Sequence, residues 1–274
     1  MEGPSLTILK EELRPFRGEK VLRVSGNTKQ DKDELKGATL AKIETWGKVL
    51  FLNFKKINHD PILTKTHFMM FGIYRINDPK PDRDPRLTLK FQDGRIDFYA
   101  CSIKFDAEEY FETRDWQVDL MSKKWDKKHV LELVEEVNPE TFLCDLLLDQ
   151  NIFTGSGNIV KNEVLFNLRR HPLTRLSSIK KKDWPKLVDA VHEYMWNFYK
   201  WKKEYQLRRH WQVYKQHKCP LCNEKLVSAK IGKFERRTYY CENDQPLKKI
   251  NSKLDVFDVL PMKPAKKPEK RLDH

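Results

Sequence analysis

Three cysteines and an aspartate near the C-terminal end of the chain have the spacing of a metal site. Cys219 and Cys222 form one CxxC turn, and after 18 intervening residues Cys241 and Asp244 repeat the spacing with a carboxylate in the last position. Two such turns at this separation each supply two ligands to one tetrahedral ion. The pattern predicts one structural Zn²⁺ with no open coordination position, and His217 is the alternative to Asp244 as fourth ligand.

The segment between these turns is basic. Apolar and charged residues alternate on both sides of Gly232, which predicts a hairpin that presents arginines. The 274-residue chain carries 53 Lys and Arg against 40 Asp and Glu, a net charge of +13. Nucleic-acid phosphate is therefore the predicted partner, ahead of an anionic membrane surface.

The sequence pattern predicts neither a signal peptide nor a membrane-spanning segment. No apolar run approaches the roughly 20 residues of a membrane span, and charged residues interrupt the first turns, unlike a signal peptide. Cys101 and Cys144 stand alone in apolar stretches, as in a reducing compartment. We expect a cytoplasmic protein, associated with the nucleoid through DNA.

A second motif, Gly155-Ser-Gly-Asn158, precedes a helical pattern. Glycines let the backbone turn closely, and a helix N-terminus offers unpaired N–H groups to a phosphate. The competing interpretation is an ordinary loop-to-helix joint capped by Asn158.

The elements that must position these residues change along the chain. Residues 4–15 predict a short helix, and residues 19–100 contain short alternating strands, whereas the period becomes helical after about residue 128. The expected fold is α+β, with an N-terminal antiparallel β-sandwich and a C-terminal helical bundle that carries the metal hairpin. The predicted domains are 1–115, 116–214 and 215–248, followed by a Pro- and Lys-rich disordered tail at 262–274.

Four motifs in this order resemble the formamidopyrimidine-DNA glycosylase/endonuclease VIII family. They are Glu2-Gly3-Pro4, Gly47-Lys48, Asp149-Gln150 with Gly155 to Asn158, and the terminal hairpin, and together they span residues 1 to about 245. The resemblance implies a bifunctional glycosylase and abasic-site lyase of base-excision repair. It also implies a β-sandwich joined to a helix–two-turn–helix bundle with a zinc finger, and double-stranded DNA containing damaged bases or abasic sites as the partner of a monomer.

The chemistry would begin at the amino terminus. An α-amino group has a reference pKa of about 7.7–8.0, against about 10.4 for lysine, so part of it is neutral near pH 7. A neutral amine can attack the sugar C1′ and form a Schiff base, while Glu2 moves protons. The family exposes a proline here, whereas this chain begins Met1-Glu2-Gly3-Pro4. The Met1 amine would replace the proline nitrogen, and its imine must be protonated to withdraw electrons, so we expect slower chemistry or an inactive variant.

Further DNA contacts follow from the same resemblance. Lys48 matches the lysine that contacts a phosphate beside the lesion, and Arg236, with Arg237 as its neighbour, matches the arginine of the finger. The apolar stretch Met69, Met70 and Phe71 matches the turn that fills the space left by an extruded nucleotide, with Met70 as first candidate. The competing interpretation of Lys48 is a solvent-facing strand lysine, and that of Arg236 is a charged hairpin tip. For Met69, Met70 and Phe71 it is packing in the core.

Substrate and function stay open at this point. Little chain separates Tyr214 from Cys219, which leaves little room for the longer loop of relatives that act on 8-oxoguanine. This favours oxidised pyrimidines, while purine lesions remain open. The alternative is a non-catalytic protein that binds damaged DNA, because the proline is missing. RNA binding through the hairpin is a third possibility.

Overall fold

The computed structural model describes residues 1–247. The chain forms two compact units, here called unit 1 (Met1–Lys123) and unit 2 (from Lys124 onward). The finer division into domains stays a prediction, and the predicted tail at 262–274 lies outside the described residues.

Unit 1 is built on one six-stranded antiparallel sheet. Its strands are β1 (Arg23–Ser25), β2 (Thr39–Trp46), β3 (Val49–Lys55), β4 (Ile62–Ile76), β5 (Leu87–Lys90) and β6 (Arg95–Lys104), in the spatial order β1-β5-β6-β4-β3-β2. The segment before β1 bridges the two ends of this order, because Leu22 N–H bonds to the Lys90 carbonyl and Val21 N–H to the Ala38 carbonyl. The sheet therefore curls around its core.

The first helix of unit 1, α1 (Gly3–Glu12), packs against β2 and β3. Pro4 stands in its first turn, where a missing N–H costs nothing. Leu6, Leu9 and Leu13 are fully buried in the same core as the inward side chains of the strands. Burial of these leucines fixes the start of the chain against the sheet.

A short helix, α2 (Glu108–Glu112), covers part of the other face of the sheet. Phe51 of β3 packs edge-on against Phe111, with ring centroids 5.0 Å apart. Four successive residues at the start of β3 are buried, since both faces of the strand are covered.

Residues 124–247 of unit 2 form four further α-helices and a two-stranded hairpin. These are α3 (Lys127–Glu136), α4 (Leu143–Leu146), α5 (Asn158–Asn167), α6 (Trp184–Lys203), β7 (Val227–Ile231) and β8 (Arg236–Tyr240). Helix α6 ends at Lys203, and Tyr205 takes a left-handed conformation with φ of 57° that stops the helix.

The α+β class and the antiparallel N-terminal sheet are confirmed. Among the helices in residues 1–247, none is both long and apolar enough to cross a bilayer.

Candidate functional site

The amino terminus is held by the first turn of α1. Glu2 is the N-cap residue, and its backbone carbonyl accepts the N–H of Ser5 at 2.9 Å. Met1 is half-buried and packs against the core of unit 1. The terminal residue therefore belongs to the folded unit.

Lys48 lies at the tip of the β2–β3 hairpin. Trp46 and Val49 form the closing pair, and Gly47 has φ of +54° at the first central position of the turn. A positive φ there suits the twist of a tight hairpin and favours glycine. The turn is anchored by the Trp46 indole, whose Nε1 donates to the Asp115 carbonyl at 2.8 Å.

The sequence did not reveal a second anchor of this turn, Asp119. Its carboxylate accepts the backbone N–H of Gly47 at 3.1 Å and that of Met121 at 3.0 Å. Burial raises the pKa of Asp119 to about 6, against the opposing effects of these hydrogen bonds and of Lys10. The only signal was an acidic residue between Val118 and Leu120, both of which are buried.

His67 brings the amino terminus and Lys48 into one electrostatic environment. It pairs with Val49 across the sheet, next to Lys48. Partial burial lowers the pKa of His67, and the positive charges of the amino terminus, Lys48 and Lys65 lower it further. The terminal amine and Lys48 therefore act on the same side chain.

The apolar stretch after His67 forms an exposed bulge. The pairing of β4 with β6 is interrupted between Phe68 and Ile73. Met69, Met70 and Phe71 are 54%, 73% and 74% exposed, whereas Phe68 is in the core. Core packing, the competing interpretation of these three residues, is wrong.

In unit 2, the predicted Asn158 stands at the first position of α5, after Gly157 as N-cap. Its Nδ2 donates to the backbone carbonyl of Arg237 at 2.8 Å. The helix start and the hairpin that carries Arg236 are therefore directly linked.

Two more residues of α5 bind the same strand. Lys161 Nζ donates to Thr238 Oγ1 at 2.6 Å, and Asn162 Oδ1 accepts the N–H of Tyr239 at 2.6 Å. Lys161 and Asn162 are fully buried, so these contacts are shielded from water. The exposed Arg236 adjoins this clamp, which sequence reasoning missed because the partners lie about 77 residues apart.

The turn of the hairpin is docked on α4. Asp145 accepts the N–H of Lys233 at 2.9 Å, and Gly232, with φ of +74°, passes so close that a Cβ would lie 2.4 Å from Asp145 Oδ1. Only glycine allows this approach, which explains its place in the hairpin.

A buried carboxylate on α5 holds the segment that leads into the hairpin. Glu163 accepts three backbone N–H groups, from Gln212 at 2.8 Å, Val213 at 3.0 Å and Tyr214 at 2.7 Å. Burial raises the pKa of Glu163 to about 7 despite these bonds. No sequence motif marked this residue.

The predicted metal ligands come together. One ligand atom from each of Cys219, Cys222, Cys241 and Asp244 lies within 4.8 Å of all the others, and His217 is not in the group. Asp244 Oδ2 lies 3.1 Å from Cys219 Sγ and 3.4 Å from Cys241 Sγ. A tetrahedral shell with bonds of about 2.0–2.3 Å has slightly wider separations, of about 3.5 Å, so the four groups are close to such an arrangement.

Arg169 completes the surroundings of this cluster. Its Nη1 donates to Asp244 Oδ1 at 2.8 Å, which leaves Oδ2 directed at the cysteines. One carboxylate oxygen of Asp244 is therefore bound to Arg169 and the other faces the cysteines.

Comparison with known proteins agrees with this architecture. Residues 2–105 match the model of the formamidopyrimidine-DNA glycosylase N-terminal domain. The chain is 30% identical over 259 residues to endonuclease 8-like 3 of Xenopus laevis, covering 88% of this chain and 40% of the relative. It is 32% identical over 197 residues to endonuclease 8-like 2 of Mus musculus, covering 66% and 57%. The chain thus spans less than two thirds of the length of these relatives.

Two solved structures share the fold. A viral DNA glycosylase superposes with a TM-score of 0.78 at 20% identity, over 89% of this chain and all of that one. The Lactococcus lactis formamidopyrimidine-DNA glycosylase, bound to DNA containing an abasic site, gives a TM-score of 0.75 at 23% identity, over 90% of this chain and all of that one. Residues 2–105 thus belong to the formamidopyrimidine-DNA glycosylase N-terminal domain family, and the chain resembles the endonuclease 8-like proteins of the formamidopyrimidine-DNA glycosylase/endonuclease VIII family.

Proposed function

We propose that this protein is a bifunctional DNA glycosylase and abasic-site lyase that uses the amine of Met1 as nucleophile. The observation that carries the proposal is the placement of Met1 against the core of unit 1, with its amine and Lys48 both acting on His67. A nucleophile held in a cationic environment suits attack on a sugar whose neighbours are phosphates.

The reaction starts with base excision. The neutral nitrogen of Met1 bonds to C1′ of the damaged nucleotide while the C1′–N bond to the base breaks, and the base leaves with the bonding electrons and a proton. The C1′–O4′ bond then opens as O4′ takes a proton, and the nitrogen releases one, giving the Schiff base.

Strand cleavage follows by elimination. The protonated imine withdraws electrons as C2′ loses a proton, and the C3′–O bond breaks to release the 3′ phosphate. Water then hydrolyses the imine. We assign Glu2 to the proton transfers at O4′ and C2′, and Lys48 to the phosphate beside the lesion.

Unit 2 is proposed to grip the DNA backbone. Asn158 and Arg236 would hold the phosphates flanking the extruded nucleotide, and the link between Asn158 and the Arg237 carbonyl supports their joint action. In this proposal α4 and α5 belong to a helix–two-turn–helix element. Cys219, Cys222, Cys241 and Asp244 would hold a structural Zn²⁺, which stabilises the hairpin carrying Arg236.

The substrate is proposed to be double-stranded DNA with oxidised pyrimidines or abasic sites. The bulge of Met69, Met70 and Phe71 would fill the space left by the extruded nucleotide, since its exposed apolar surface suits insertion between bases. The short connection between Tyr214 and Cys219 supports the pyrimidine assignment.

Borohydride trapping tests the proposal. The protein is incubated with a duplex containing an abasic site, reduced, digested and analysed by mass spectrometry. We expect an adduct on the nitrogen of residue 1, and its loss when the terminus is acetylated. An adduct on a lysine, or none at saturating protein, would contradict the proposal.

A second candidate function follows from Met1 standing where the family has proline. A protein that binds damaged DNA without chemistry would bind the same duplex tightly and give no adduct. Intact-mass measurement first establishes that Met1 is the terminal residue of the protein tested.

A further inference from the structure

A cationic and aromatic patch lies on unit 1, beside the residues assigned above. We call Lys65, Lys104, Tyr110 and Arg114 the Tyr110 patch. Lys65 Nζ lies 3.5 Å from the centroid of the Tyr110 ring, and Arg114 Cζ lies 4.1 Å from it. Two cations thus contact one aromatic ring.

The charges in this patch repel one another. Lys65 of β4 is paired directly with Lys104 of β6 across the sheet, an arrangement that destabilises a sheet when both side chains are charged. Partial burial lowers the pKa of Lys65, and the charges of Lys104 and Arg114 lower it further. An anion bound here would relieve this repulsion.

No carboxylate within residues 1–247 forms an ion pair with Lys65, Lys104 or Arg114. Arg114 donates to Thr113 Oγ1 at 3.0 Å, and its buried Nε has no hydrogen-bond partner. By contrast, Lys10 and Lys42 on the same unit are both paired with Glu44. The patch therefore has positive charge, not neutralised by a carboxylate of the described residues, to offer to a ligand.

The patch is continuous with the environment of the amino terminus. Lys65 and His67 are two residues apart on β4 and so face the same side of the sheet. Lys65 is also one of the charges that act on His67, together with the amino terminus and Lys48. One row of positive charge runs from the terminal amine to Arg114.

We propose that Lys65, Lys104 and Arg114 form an additional binding site for a backbone phosphate of the DNA, with Tyr110 as its aromatic base. The proposal rests on the proposed function, because the row begins at the amine that would attack the sugar. The ligand is a phosphodiester of the DNA strand, and inorganic phosphate shares its chemistry.

The test is the salt dependence of DNA binding by Lys65→Gln/Arg114→Gln. Kd is measured by fluorescence anisotropy between 50 and 200 mM KCl, on a duplex with a tetrahydrofuran abasic analogue. Each lost phosphate contact reduces the slope of log K against log salt by about 0.9, so we expect the slope to fall by about 1.8. The matched control is Lys36→Gln/Lys90→Gln, which removes the same charge from two exposed lysines of unit 1.

The proposal is overturned if Lys65→Gln/Arg114→Gln gives the same slope as the wild type or as the control variant. Lys104→Gln provides an independent variant, because Lys104 is exposed and the cations over the Tyr110 ring are Lys65 and Arg114; the slope for Lys104→Gln should fall by about 0.9. Loss of inorganic-phosphate binding with an unchanged DNA slope also overturns the DNA assignment. Trapping with the wild type tests the proposed function separately: absence of an adduct would defeat the proposed function and leave the salt result standing.

Discussion

The two units hold their functional side chains by different means. In unit 1, Met1 packs on a large apolar core, and the turn carrying Lys48 is held in the curled sheet by the Trp46 indole and by one buried carboxylate, Asp119. In unit 2, Arg236 is carried by a two-stranded hairpin whose own apolar cluster is small, and buried polar groups on α5 hold it in place. A hairpin this small needs such supports, because two strands alone are marginally stable.

This difference predicts different weaknesses. Stability that comes from apolar burial does not depend on pH or on chelators. Stability that comes from a buried carboxylate depends on pH, and stability that comes from a metal-binding cysteine cluster depends on chelators. Damage to unit 1 chemistry should leave DNA binding intact, while damage to the supports of unit 2 should weaken binding first.

The largest expected effect is on catalysis in unit 1. Glu2→Gln removes the proposed proton-transfer group and should slow base excision and strand cleavage by about 10²–10⁴-fold. The Kd for an abasic-analogue duplex should stay unchanged, because the N-cap bond to Ser5 uses the backbone carbonyl of Glu2. Single-turnover kinetics measure the effect, with exposed Glu34→Gln as control. Turnover equal to the wild type would remove Glu2 from the mechanism.

The pH dependence of the free energy of unfolding distinguishes the contribution of the buried carboxylates from that of the apolar core. The folded-state pKa of Glu163 is raised from 4.5 to about 7, so the folded protein keeps a proton that the unfolded chain releases. Its contribution to stability is present below pH 4.5 and is lost as the pH rises through 7, amounting to about 3 kcal/mol. Urea unfolding from pH 5 to 8 measures it.

Glu163→Gln should flatten this dependence. The amide cannot titrate, although it loses one acceptor facing the backbone of residues 212–214, at a cost of about 1–3 kcal/mol. Asp119→Asn is the matched variant in unit 1, where the pKa of Asp119 is about 6 and the loss of stability comes at lower pH. Equal pH profiles for the wild type and Glu163→Gln would contradict the role of burial here.

The next largest effect is expected on Zn²⁺ affinity at the cluster of Cys219, Cys222, Cys241 and Asp244. Arg169→Met removes the hydrogen bond that orients Asp244 and should weaken Zn²⁺ binding by about 10–100-fold. Competition with a chromophoric chelator measures the affinity directly, and exposed Arg209→Met serves as control. An unchanged affinity would show that Asp244 needs no such orientation.

The smallest effect is expected for the clamp. Lys161→Met keeps the length of the side chain and removes its bond to Thr238, which contributes about 0.5–1.5 kcal/mol. DNA affinity should fall about 2–10-fold, and trapping at saturating protein should not change. A fall in trapping yield would mean that the clamp also affects the chemistry, and would weaken the contrast between the units.

Much of the candidate site was predictable where the signal is local in sequence. The CxxC turn and the repeat at Cys241 identified the ligand group, and Gly-Ser-Gly-Asn158 identified the start of α5. Sequence reasoning missed Asp119, Lys161, Asn162, Glu163 and Arg169. Their partners lie 49 to 77 residues away, and no pattern of residue types encodes such a pairing. The roles assigned to Met1, Glu2, Lys48, Asn158 and Arg236 stay predictions.

The sequence by itself determined the α+β class, the metal-ligand spacing, the basic character and the order of the family motifs, since each depends on residue type and short-range periodicity. Tertiary structure alone decided that Asp244 rather than His217 joins the cysteines, that Met69 to Phe71 are exposed, and that α5 binds the hairpin. These outcomes depend on which distant segments become neighbours. That choice is made by the packing of the whole unit, which local propensity does not specify.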